Sequence, residues 1–177
     1  MRQAWTVIAV AALLAGLAQG ALGQAEPPQP IEQRLAGFAD RMRLSLSMAS
    51  VAVFSPTVSD AHGQAQRLIA LLRGDAHDGI PGLVAEAALF ADWIGSRPFD
   101  PEPRRVLLGA ATNVQALLRL ALDAAIAANR DRALDNATQD LLRVYAYLIA
   151  AWGKPIDGVV VPGLETLLRG FDVAVAA

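Results

Sequence analysis

Two histidines are the side chains of this chain best suited to acid–base or metal chemistry, and both fall in one stretch, Val58 to Gly79. His77 sits in Asp75-Ala76-His77-Asp78-Gly79, where two carboxylates and an imidazole stand close enough in sequence to clasp a divalent cation. No array of oxygen ligands at EF-hand spacing follows, and Asp-Gly is also ordinary turn chemistry. His62 precedes them on a helical pattern. A metal site on one helix needs a second ligand three or four residues on, and those positions are Ala65 and Gln66. A site joining His62 to Asp75, His77 and Asp78 therefore requires the fold to bring the two ends of the stretch together.

Other chemistries have less to work with. There is no cysteine, no Gly-x-Ser-x-Gly and no serine placed beside either histidine, so nucleophilic catalysis lacks its parts. Glu-x-x-His pairs for a bundle di-metal centre, Cys-x-x-Cys-His for covalent haem and glycine-rich phosphate loops are absent too. The expectation is a protein that is not an enzyme, with a divalent cation as the one cofactor to consider. Trp93 with Phe90 and Phe99, or Trp152 with Tyr145 and Tyr147, would either line a hydrophobic groove or fill the core.

These residues depend on helices for their positions. Alanine and leucine dominate and alternating β-branched runs are missing, which favours helix over sheet. Apolar residues step by three or four along about Ile31 to Phe54 (Ile31, Leu35, Phe38, Met42, Leu46, Ala49, Val53), leaving Ser45, Ser47 and Ser50 off the stripe. Ser55-Pro56 reads as the cap and first turn of the next helix, whose stripe is Val58, Ala61, Ala65, Leu68 and Leu72 and whose stop is Gly74.

Asp75 to Pro81 reads as a turn, and Gly82 to Ile94 as a third helix ended by Gly95-Ser96-Arg97-Pro98. Asp100-Pro101 opens the longest helix, Asp100 as its cap and Pro101 in its first turn, with a seam of Leu107, Ala111, Val114, Leu118, Ala121, Ala125 and Ala128. Asn129 to Arg132 interrupts it, and a fifth helix follows to about Trp152, with Leu134, Ala137, Leu141, Val144, Leu148 and Trp152 as its stripe and Gly153-Lys154-Pro155 as its stop; a short last helix begins at Pro162. Short loops between amphipathic helices predict an all-α, antiparallel helical bundle of five to six helices with a four-helix core. The second and third helices, each about half the length of the fourth, are expected to share one or two edges of it.

Met1-Arg2, the apolar run Trp5 to Ala18 and the small residues after it read as a cleaved secretory signal over 1–25, followed by a Pro-rich leader at 26–30 and one domain over 31–177. An uncleaved anchor is the other reading of that run, and no later segment is expected to span a membrane. An exported chain without cysteine must rely on its core or on a partner. Without residues 1–25 the chain carries 14 basic residues against 17 acidic, with no basic patch, which excludes nucleic acid as a partner.

The helix ending Leu68 to Asp75 (LIALLRG-D), the long central helices and the WGKPIDG turn before a short last helix resemble a group of uncharacterised secreted bacterial helical-bundle proteins. That resemblance implies an exported bundle and no known activity. The group's His-x-x-His-x-x-Asn signature would fall on Gln64, Arg67 and Ala70, and the loop ending Asp157-Gly158 lacks the group's acidic run, so a metal role does not carry over. The expected function is a secreted or periplasmic protein with a non-catalytic binding or structural role in the cell envelope, partnered by another envelope protein or by itself. The alternative is a metal- or small-ligand-binding bundle using His62 and the Asp75–Asp78 turn.

Overall fold

An apolar stripe at helical spacing must find a partner face, and in the computed structural model six such stripes, among the residues described (30–75, 80–154 and 161–173), close on one another. Two units separate at residue 30, Met1–Pro30 and Ile31–Ala177, and the six helices belong to the second. They are α1 (Ile31–Ala52), α2 (Val58–Arg73), α3 (Leu83–Ser96), α4 (Pro101–Ala128), α5 (Leu134–Trp152) and α6 (Leu164–Gly170). The one extended pairing among the described residues is two residues long, with Gly74 opposite Pro81 and Asp75 opposite Ile80. The chain is an all-helical bundle.

Its core has four rods. α4, with 28 residues and thus about 40 Å long, packs on α2, α3, α5 and α6. α1 packs on α2 and α5, across the bundle from α4. α2 and α3 lie end to end as one broken rod. His62, near the start of α2, meets Asp131 just past the end of α4, while the Gly95 carbonyl near the end of α3 accepts from Arg104 in the first turn of α4. The two short helices therefore share one edge.

The break in that rod is set by Gly82. Its backbone lies in an ordinary extended conformation, but a Cβ there would collide with the backbone of Arg73 and Gly74, so only glycine lets α3 start against the end of α2. Gly153 stops α5 in the left-handed region, with φ of 102°. Asn113 of α4 donates to the Pro162 carbonyl at 3.1 Å and thereby fixes the approach to α6.

The seam of α4 is buried throughout, from Leu107, Val114 and Leu118 to Ala121, Ala125 and Ala128, and Ala110 and Ala124 join it. Small side chains in the second half let α5 and α2 come close. Phe38 of α1 meets Phe90 of α3 edge to face at 5.3 Å, a geometry worth about 1 kcal/mol beyond the area buried.

Several expectations need correction. The second helix is capped by Thr57, whose hydroxyl accepts from the Asp60 amide, and not by Ser55; Ser55 instead donates to Ala52 at the end of α1. Ser45 is buried, because its hydroxyl can donate to the Arg41 carbonyl of its own helix and so needs no water. α3 runs past Gly95 to Ser96, and Asp100 stands at the start of α4 without a side-chain cap bond. By length and composition α4 also meets the requirement for a membrane span, contrary to the sequence reading, yet four helices pack on it.

Candidate functional site

His62 is tied to the fold. Its Nε2 lies 2.7 Å from the carbonyl oxygen of Asp131, and a carbonyl can only accept, so this nitrogen carries the proton. The bond fastens the start of α2 to the loop between α4 and α5. Among the described residues no group of three or more histidine, cysteine or carboxylate side chains is placed to hold a metal ion. His77 and Asp78 lie outside the described residues, as does the side chain of Asp75, whose backbone pairs with Ile80.

Just beyond that turn the structure holds an ion pair that sequence reasoning missed. Glu86 of α3 is 6% exposed and faces the guanidinium of Arg41, which also donates to the Pro81 carbonyl at 2.9 Å. Glu86 Oε2 makes no hydrogen bond of good geometry, so the ion pair with Arg41 is what compensates its burial. Burial also lowers the pKa of Arg41 below its usual value. The only signal in the sequence was a glutamate on the stripe of α3, one position before Ala87.

The aromatic residues divide their roles. Trp93, Phe99 and Phe171 form a closed set of edge contacts, with centroids 5.6 to 6.1 Å apart, which docks the end of α6 on the connection between α3 and α4. Phe90 packs on Phe38, not on Trp93. This cluster is half-buried and packs against the core.

Trp152 is different. It ends α5 beside a groove of about 530 Å³ between α1, α5 and α6. Its indole donates to Glu165 Oε1 at 3.1 Å, and Arg43 of α1 lies over its ring at 5.6 Å from the centroid. Leu46, Leu168 and Val173 give the groove apolar walls, and Lys154 and Arg169 stand at its edge. Glu165, the one acidic residue of the lining among the described residues, accepts from Trp152 through one oxygen and from Arg169 through the other, at 3.2 Å. Tyr145 and Tyr147, expected beside Trp152, are half-buried against the core and do not line the groove.

The arrangement suits binding. Among the described residues the groove has a rigid aromatic wall, an apolar interior and an excess of positive charge, and its lining holds no histidine, cysteine or serine. Comparison with protein-family models, with curated proteins and with solved structures returns no match for this chain.

Proposed function

We propose that the chain is an exported, non-catalytic binding protein of the cell envelope, and that the groove between α1, α5 and α6 is where it holds a small ligand. Export rests on the N-terminal pattern of a basic start, an apolar run and small residues. Binding rests on one observation: Trp152 is fixed by Glu165 and Arg43 at the wall of a groove large enough for a small organic molecule. A wall held this way is ready before the ligand arrives, so little ordering is needed on binding.

The test is a screen of small molecules against the isotope-labelled protein, following the indole N–H of Trp152 and the amides of Leu168 and Arg43. Compounds that bind are expected to move these signals together. A screen in which none moves them, alongside turnover of any compound, sinks the reading. Recovery of the full-length product only from the cytoplasm would sink the envelope location.

A further inference from the structure

We infer that the groove selects a small amphipathic organic monoanion, with its charged group met by Lys154 and its apolar body against Leu46, Leu168 and Val173. This deepens the binding role proposed above and rests on it. Among the described residues three cations line the groove, Arg43, Lys154 and Arg169, against one carboxylate, Glu165. That carboxylate is spent inside the protein, because the Trp152 indole and Arg169 each take one of its oxygens. Among the described residues a cationic ligand would find no acidic group with an oxygen to spare, and it would face the surplus positive charge.

The number of charges follows from how the cations are engaged. Arg169 pairs with Glu165, and Arg43 lies over the Trp152 ring with Asp40 at 3.7 Å. Lys154 is exposed and has no ion pair among the described residues. One uncommitted ammonium suits one carboxylate, whereas a di- or triphosphate would need several donors converging on it. The apolar part is required because the walls beyond the charged edge are leucine and valine, and Leu168 is 5% exposed. An anion without an apolar body would leave that surface wet and would gain only the weak attraction of an exposed lysine.

The experiment titrates the full chain with octanoate, octylamine and acetate, read by calorimetry and by the Trp152 indole signal. Octanoate is expected to bind and to move that signal, and octylamine and acetate to do neither. Lys154→Glu should weaken octanoate binding about tenfold, because the reversal replaces an attraction by a repulsion, with the melting temperature unchanged. Lys154→Gln should give a smaller loss in the same direction. Octylamine binding as tightly as octanoate, octanoate binding without moving Trp152, or full affinity in Lys154→Glu would each overturn the inference. A neutral or cationic compound that moves Trp152 overturns the choice of anion and leaves the binding role standing. If no compound of any charge moves it, both fall.

Discussion

Arg41 on α1 and Glu86 in the first turn of α3 are paired beside the break between α2 and α3, the Glu86 side chain 8% exposed and that of Arg41 27%. Arg41→Ala strands a buried carboxylate and should destabilise the bundle by about 3 kcal/mol, measured by denaturant unfolding. Arg41→Met with Glu86→Leu should recover most of that loss, because the apolar pair removes the desolvation problem along with the attraction. Since burial lowers the pKa of Arg41, the unfolded chain holds that proton more tightly than the folded one. Stability thus gains from this group only as pH rises toward the guanidinium range, and near neutrality it should add no slope.

Gly82→Ala should destabilise by about 3 kcal/mol, since its methyl group meets the backbone of Arg73 and Gly74, which cannot step aside as a side chain would. Gly63→Ala offers the contrast. It lies inside α2 with nothing within 4 Å of the added carbon, so helix propensity alone should raise stability by about 0.5 to 1 kcal/mol. Thermal unfolding of the two variants side by side separates the cases, and equal effects would contradict them.

His62→Ala removes the bond to Asp131 and should lower stability by about 1 kcal/mol. The loss is local. Hydrogen exchange should quicken at the amides of Arg130 and Asp131, which donate to Ala127 at the end of α4, and stay unchanged in the middle of that helix.

Phe171→Ala empties one corner of the Trp93–Phe99–Phe171 cluster and should cost about 2 kcal/mol. Emission from Trp93 should shift to the red as water reaches its ring. An unshifted spectrum would mean that α6 stays docked without this contact.

Much of the bundle was legible because burial in helices leaves a period. The seam of α4 and the stripe Ala61, Ala65, Leu68 and Leu72 of α2 could be read position by position, since each apolar side chain there has one face to occupy. Stops were legible where one residue decides them, as at Gly153. Caps were less so: Ser55 and Thr57 offer the same hydroxyl, and which one serves depends on where the turn after α1 ends. The buried Glu86 was hidden because its partner is on another helix, and pairing between helices leaves no period. The groove was hidden for the same reason. Trp152 ends one helix, Arg43 belongs to another and Glu165 to a third, and only the packing of α6 brings them together.

The passage of α4 from leucine to alanine has a consequence for how the sequence can change. Where Leu107, Val114 and Leu118 fill the space, truncation leaves a hole, while swaps between aliphatic side chains of equal volume are tolerated. Where Ala121, Ala125 and Ala128 meet their neighbours, there is almost nothing to truncate, and any larger side chain must push a helix away. Over long divergence the first half of α4 should wander among aliphatic residues of similar volume. The second half should stay small, and related chains should be easiest to recognise by that run of minimal side chains.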